Sequence, residues 1–475
     1  MKPHKLLSAW IALMAAALML AFTGSVDDDA RFRRIFEALQ QFTYRYPQQK
    51  IFLHLDKPVY QGGDNIWIKA YLVNGTDHTP DTLSTNLYVE LISPFQTRVQ
   101  IKRFQIRRGF GVGDFVLSDT LPEGLYQIRA FTSWMQNFDA DYFYTQNFQV
   151  FNPGYKKLIS PRQARENLRE VENREKQAEQ FDIQFMPEGG DLVSGLESLV
   201  GFKAVNQTGR GIAVEGLIVD DLGNTVTSFS SQAKGMGTFL LTPAKDRKYF
   251  ALFPDRDRGR RVALPQVLPT GLVMRVEDHR DSTRIWLRSN RPPTADPVAN
   301  EVILVGQIGG RIYYREIVRL MDGQAYAEFS KANYPEGIMQ ITAFSGRGEP
   351  QAERLVFINH MNFMYIRYSV WDTLTEDGRK TSVDITTTDL EGKPIRANIS
   401  LAVSRERTAE LAQNRDNIIS NLLLTSDLKG YIEDPQDYFT DQSPATLAAL
   451  DLLMLTQGWR RFDWDLILAG EYPKI

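Results

Sequence analysis

The 475-residue chain has no cysteine, which excludes disulfides, thiolate metal sites and cysteine nucleophiles. Histidine is scarce: His4, His54, His78, His279 and His360 are all there are. None stands three or four residues from another, so no helical zinc pair exists. His54 faces away from the apolar residues of its strand and reads as a plain surface histidine. No sign of charge dominates, with a formal net charge of −3, so no global field gathers nucleic acid or anionic lipid. Beyond residue 22 no apolar run is long enough to span a membrane as a helix. Gly109, Gly111 and Gly113 are not followed by Gly-Lys-Ser/Thr, and a bulge or tight hairpin fits them better than a phosphate loop. Ser231 with Lys234, and Ser426 with Lys429, match Ser-x-x-Lys, but neither has the Lys-Thr-Gly context of that nucleophile. No catalytic, cofactor or metal constellation is expected, so the chain is not expected to be an enzyme.

What remains is ordinary for folded domains, 43% hydrophobic and 24% charged. The length predicts about three to four domains. Residues 1–25 read as an export signal. Lys2, His4 and Lys5 precede the apolar stretch Leu6 to Phe22, and Thr23-Gly24-Ser25 offers small residues for cleavage. An uncleaved membrane anchor is the alternative. Residues 26–49 hold an amphipathic helix with Phe32, Ile35, Phe36, Leu39 and Phe42 on one stripe, ended by Pro47. The stripe is expected to dock on the neighbouring β-domain rather than on a membrane surface.

Strand-like alternation then dominates. LPEGLYQIRAF at 121–131 and YPEGIMQITAF at 334–344 agree at seven of eleven positions. Each is a Pro-Glu-Gly turn, fixed in φ at Pro and permitting φ > 0 at Gly, that feeds an alternating strand. Gly235-Met236-Gly237-Thr238-Phe239 repeats the Gly-x-Gly-x-Phe of residues 111–115. Gly392-Lys393-Pro394-Ile395-Arg396-Ala397 echoes the turn at Gly209–Val214. Such repeats imply one β-unit used several times. The expected division is 50–152, 182–262 and 263–362 as three β-sandwiches, with 153–181 a charged linker helix and 363–475 a fourth sandwich with a helical C-terminal part. In that part Ser443-Pro444 starts a helix bearing Leu447, Leu450, Leu453 and Met454. Arg256, Arg258, Arg260 and Arg261 read as a solvated loop, with an anionic docking patch as the alternative. Trp134, Phe138, Tyr142, Phe143 and Tyr144 cluster as a ligand platform, a partner interface, or an edge strand packed on the helix at 30–46.

One segment adds a resemblance. LHLDKPVYQGGDNIWIKAYL at 53–72 carries Asp56, Lys57, Pro58, Tyr60 and Gly63 in the Asp-Lys-Pro-x-Tyr-x-x-Gly pattern of the alpha-macroglobulin superfamily. FMPEGGDLV at 185–193, SDLKGYIEDPQDYF at 426–439 and LDLLMLTQGWRRF at 450–462 resemble exported macroglobulin-like proteins of Bacteroidetes type. Some relatives of those continue into carboxypeptidase-regulatory-like and TonB plug domains. The resemblance implies a mainly β chain of tandem macroglobulin or immunoglobulin-like antiparallel sandwiches. It also implies a periplasmic or outer-membrane location and an envelope protein partner, either a receptor or a protease, with no cofactor and no nucleic acid. Without cysteine the thioester trap of that superfamily is impossible. The implied role is therefore a non-enzymatic scaffold that presents protein-interaction surfaces, with an association with TonB-dependent uptake, and a noncovalent endopeptidase inhibitor is the alternative.

Overall fold

A computed structural model describes residues 30–154, 181–254, 257–292, 294–375, 378–403, 416–457 and 462–471. The export signal and the charged linker helix lie outside the described residues. The fold is mainly β, with a helix α1 (Ala30–Arg45) before the first strand and further helices after the last.

The first sandwich holds β1 (Gln49–Leu55), β2 (Val59–Gln61), β3 (Asn65–Asn74), β4 (Asn86–Ile92), β5 (Arg98–Arg107), β6 (Phe110–Val116), β7 (Gly124–Phe131) and β8 (Tyr144–Phe151). The second holds β9 (Phe181–Pro187), β10 (Leu192–Val193), β11 (Ser198–Asn206), β12 (Glu215–Asp220), β13 (Thr225–Ser230), β14 (Met236–Leu241), β15 (Tyr249–Phe253), β16 (Asp257–Ala263) and β17 (Val267–Leu268). The third holds β18 (Leu272–Asp278), β19 (Ser282–Ser289), β20 (Glu301–Ile308), β21 (Arg311–Arg319), β22 (Gln324–Ser330), β23 (Gly337–Ser345) and β24 (Pro350–Ile358).

Setting aside the short β2, β10 and β17, all three follow one seven-strand plan. The first, second and fifth strands form one sheet: β1-β3-β6, β9-β11-β14 and β18-β19-β22. The other sheet runs fourth-third-sixth-seventh: β5-β4-β7-β8, β13-β12-β15-β16 and β21-β20-β23-β24. In the first sandwich a short β5–β6 pairing joins the two sheets. Alternation explains the strands. On β19, Thr283, Ile285 and Leu287 are buried while Arg284, Trp286 and Arg288 are exposed. Each sandwich has its own apolar core.

The repeated motifs fall at equivalent places. The fourth strand turns into the fifth through Arg108-Gly109, Lys234-Gly235 and Asp322-Gly323, with φ of 50° and 78°, 46° and 75°, and 49° and 75°. These are two-residue hairpin turns with φ > 0 at both residues. Each glycine carbonyl accepts from the second strand, from the N–H of Leu72, Ala204 or Ser289 at 2.7, 2.9 and 2.7 Å. The Gly-x-Gly-x-Phe copies thus share a strand position but are offset by two residues, since Gly109 rather than Gly111 matches Gly235. Both Pro-Glu-Gly turns open the sixth strand. Glu123 accepts from Asn152 N–H at 3.2 Å, and Glu336 from His360 and Asn362 N–H at 3.0 and 2.9 Å. In both copies the carboxylate holds the chain just beyond the seventh strand.

Residues 363–403 depart from the expected fourth sandwich. Among the described residues, β25 (Tyr365–Thr375) and β26 (Gly378–Thr388) form a two-stranded sheet, with one further bridge from Thr388 to Pro394. The chain then forms α2 (Ile418–Leu423), α3 (Pro444–Thr456) and α4 (Trp464–Ala469). Ser443 caps α3 through Thr446 N–H at 3.3 Å, with Pro444 in the first turn. α3 buries Leu450, Leu452, Leu453 and Met454 between Met236 of the second sandwich and Leu355 and Phe357 of the third. α1 skips the sandwich next to it in sequence. Its Phe32, Ile35, Leu39 and Phe42 pack with α4 on Ile303, Val305 and Phe344 of the third. That outer sheet face is apolar too, so it offers the stripe a larger partner.

Two buried ionic joints tie these bodies together. Arg354 on β24 reaches Glu188 of the second sandwich at 3.0 Å and Asp451 of α3 at 2.6 Å, and is 2% exposed. Glu188 also accepts from Val276 N–H at 3.1 Å. Burial pushes the Glu188 carboxyl above its usual range, against the pull of Arg354 and Arg275. In the second joint, Lys50 of β1 meets Asp427 at 2.6 Å and the Leu422 carbonyl at 2.7 Å, and His78 Nε2 stands 3.1 Å away. Burial, then the Lys50 charge, push the His78 imidazole down to about 4.

Arg354→Leu is expected to cost about 3–5 kcal/mol, because Glu188 is left charged and buried. Adding Glu188→Gln should recover part of that loss, and urea midpoints measure both. For His78, the unfolded chain takes up its proton near pH 6.5 but the folded chain only near 4. Stability is therefore full above pH 6.5 and falls as the pH drops to 4. His78→Asn should flatten that part of the urea-midpoint profile.

Candidate interaction surface

The turn after β26 shows what residues 363–403 are. Asp389 N–H donates to Lys393 O at 3.0 Å, Gly392 N–H to Asp389 O at 3.1 Å, and Ile395 N–H to Thr387 O at 2.9 Å. In the second sandwich the same three bonds join Asn206 to Arg210, Gly209 to Asn206 and Ile212 to Ala204, each at 2.9 Å. Asn206 and Asp389 each cap their own turn, accepting from Arg210 and Lys393 N–H at 3.0 and 2.8 Å. The Thr388–Pro394 bridge repeats Val205–Gly211. The pairing of β25 with β26 repeats that of β9 with β11 residue for residue, Tyr368 opposite Ile385 as Phe185 is opposite Phe202. β25, β26 and residues 398–403 therefore occupy the first, second and third strand positions of the common plan.

The difference is cover. Phe185 is 7% exposed and its counterpart Tyr368 is 74% exposed. Ile218 is wholly buried and its counterpart Leu401 is 61% exposed. Ile366, Val370, Val383, Ile399 and Val403 stand open on the same inner face. Residues 398–403 have no ladder partner among the described residues. Ser400 anchors that stretch, through His54 Nδ1 at 2.6 Å and Tyr71 Oη at 2.9 Å. His54 is thus a half-buried joint rather than a plain surface histidine, and burial lowers its pKa. Among the described residues these side chains form an open apolar face.

The residues singled out from sequence lie elsewhere and serve the fold. In the Asp56–Gly63 segment, Asp56 Oδ1 accepts from the Tyr60 hydroxyl at 2.8 Å and Trp67 N–H at 2.9 Å. Lys57 meets Asp64 at 3.0 Å. Tyr60 is buried edge-on to Phe148, centroids 5.3 Å apart, and burial and the Asp56 bond raise its pKa. Pro58 stands just before β2, and Gly63 has φ 90°. The segment carries the chain across to β2, which runs parallel to β8. β10, after Glu188-Gly189-Gly190, makes the same crossing to β17.

The aromatic cluster is half-buried to buried, and its last member, Tyr144, opens β8. Trp134 donates to Pro47 O at 2.7 Å, just past α1, and meets Phe138 edge-on at 6.1 Å. Phe143 stacks on Phe131 at 4.7 Å, and Tyr144 is buried, donating to Leu53 O at 3.1 Å. Tyr142 lies under Lys429, which also pairs with Asp139. Lys234 binds Asp437 at 3.1 Å, and Ser231 accepts from Val214 N–H at 3.0 Å, so that pair is structural. Arg260 and Arg261 lie over the Phe181 and Phe250 rings, at 4.4 and 3.6 Å. No group of three His, Asp or Glu able to hold a metal occurs among the described residues.

No family model and no curated protein sequence matches the chain. Solved structures of similar shape include native alpha-2-macroglobulin from E. coli, 11% identical with a TM-score of 0.20, covering 73% of this chain and 27% of that one. Another is dimeric latent PorU from Porphyromonas gingivalis, 12% identical with a TM-score of 0.29, covering 66% and 34%. A third is the CARDB domain of PF1109 from Pyrococcus furiosus, 13% identical with a TM-score of 0.17, covering 22% and 90%. The chain spans about a quarter to a third of the length of the first two. At these scores the architecture rests on strand order and register alone.

Leu401→Asp is expected to shift stability by less than about 0.5 kcal/mol, as an exposed substitution. Ile218→Asp at the equivalent buried position should cost more than about 4 kcal/mol. Paired urea melts test whether the fourth unit is open in solution.

Proposed function

We propose that this chain is a non-enzymatic, exported scaffold of macroglobulin-like type. Three joined sandwiches hold out the fourth unit's apolar face to a protein partner in the periplasm or at the outer membrane. The observation that carries this is the exposure of Tyr368 and Leu401 where their counterparts Phe185 and Ile218 are core. A face that three times is buried, and the fourth time is not, is built for cover. The Asp56–Gly63 pattern and the repeated sandwiches support the macroglobulin-like assignment, and the apolar segment Leu6–Phe22 supports export. Any link to TonB-dependent uptake would run through the partner. Specificity would come from surface complementarity on a rigid support.

Immobilised wild-type chain and the Tyr368→Asp/Leu401→Asp variant, each exposed to envelope extract, test the reading. Proteins held by wild type and released by the variant are expected. Equal retention on both, or none on either, would remove it. Glycosidase, esterase and peptidase assays of the purified chain are expected to show no turnover.

A further inference from the structure

We propose that a cavity at the mouth of the third sandwich binds a short extended peptide carrying a basic residue, then Gly or Pro, then an aliphatic residue. The inference goes beyond the scaffold reading and rests on a different unit. The cavity measures about 390 Å³, within the ordinary range of ligand sites. It opens beside the Asp322-Gly323 turn, and Leu272, Val302 and Leu320 of the third core form its floor. The sister units show what this place holds. In the first and second sandwiches the loop after the second strand folds back over the turn between the fourth and fifth. A Cβ on Gly109 would meet Pro80 at 2.8 Å, and one on Gly235 would meet Ile212 N at 2.7 Å. The N–H groups of Asp81 and Ile212 donate to the second-strand carbonyls of Leu72 and Ala204, at 3.0 and 2.9 Å. Ile212 packs against the second core. The fourth unit makes the same bond, from Ile395 N–H to Thr387 O at 2.9 Å.

In the third sandwich a Cβ on the equivalent Gly323 would meet only Ser289. Among the described residues no loop N–H reaches the Ser289 carbonyl. The cause is local. Asn290 donates to Ser194 O at 2.8 Å and Pro269 O at 2.9 Å, and Arg291 to Gln351 at 2.6 Å. These bonds draw the loop outward from its first residue, and the cavity lies where its sisters would fold. The seat then dictates the ligand. The Ser289 carbonyl takes a main-chain N–H, as in strand-type peptide recognition, and the core floor takes an aliphatic side chain beside it. Charge selects the residue before. At the mouth Arg31 pairs with Glu301 and Arg347 with Asp296, leaving Asp322 and Glu349 against Arg291 alone, a negative surplus. The resident segments agree: Arg210-Gly211-Ile212 and Lys393-Pro394-Ile395 each set a base two residues before the isoleucine. The first unit's Thr79-Pro80-Asp81 keeps only the proline. This chemistry defines the ligand whether it belongs to another polypeptide or to a part of this chain outside the described residues.

The probe is a fluorescent synthetic peptide with the sequence of residues 208–214, added to the full chain. Saturable anisotropy is expected. The Ile212→Asp form of the peptide should bind at least about tenfold more weakly. Ala299 is exposed on the cavity wall, so Ala299→Trp should block binding and leave the urea midpoint unchanged. A photo-crosslinking side chain at position 299 separates the sources in envelope extract. Products with an envelope protein that excess peptide suppresses would mark a foreign ligand, and suppressible products within the chain would mark a resident one. Three results would overturn the proposal. One is no saturable binding at millimolar peptide. Another is equal binding of the Ile212→Asp peptide or by the Ala299→Trp chain. The third is loss of binding in the Tyr368→Asp/Leu401→Asp variant, which would assign the peptide to the fourth unit. Binding kept by that variant, with envelope capture failing, would support the cavity and remove the scaffold reading alone.

Discussion

A single buried guanidinium holds the arrangement together. Arg354 sits on the last strand of the third sandwich, yet its partners belong to the second sandwich and to α3. A charge taken from water is tolerated only when its hydrogen bonds are met, and here Glu188, Asp451 and the Leu355 carbonyl meet them. The geometry leaves little freedom, because a guanidinium is a planar fork. Fixing Glu188 fixes the crossing from β9 to β10, and Gly189 O then accepts from Glu353 N–H at 3.0 Å. An apolar contact between the same surfaces would hold them without dictating their angle.

The helical segment plays the part of mortar. α3 lies between two sandwiches, while Lys50, Asp139 and Tyr142 reach from the first sandwich to residues 427–429. All three sandwiches thus contact one short stretch of chain. For the proposed open face, rigidity of this kind would matter, since a loosely held hairpin would fold onto the nearest apolar patch.

Much of this was legible in the residues. The Pro-Glu-Gly copies and the echo between 209–214 and 392–397 mark equivalent turns, because turn chemistry is local and repeats with the backbone that needs it, whereas the Gly-x-Gly-x-Phe copies fall two residues apart in the common plan. The inner faces of β25 and β26 also show in their alternation. What alternation cannot show is whether a face is covered: Tyr368 and Phe185 read alike. The Glu188–Arg354 joint was invisible too, as it links residues 166 apart. The docking of α1 was half legible. Its stripe at Phe32, Ile35, Leu39 and Phe42 announces burial, but which sheet receives it depends on the outward residues of β20 and β23. The aromatics at 134–144 drew notice by number, while their partners Pro47, Leu53 and Phe131 are set by tertiary packing.

The seating of α1 has a consequence for the order of assembly. Its apolar stripe finds its place on Ile303, Val305 and Phe344 together with α4, some 260 or more residues downstream in the chain. Contacts of such separation form late, because loop closure must precede them. As the chain emerges, the first sandwich can close while the helix before it stays unsatisfied. For that interval α1 is a greasy handle at the front of a half-made protein. A holding chaperone that grips it would be released by the arrival of the third sandwich, so completion itself would be the signal to let go.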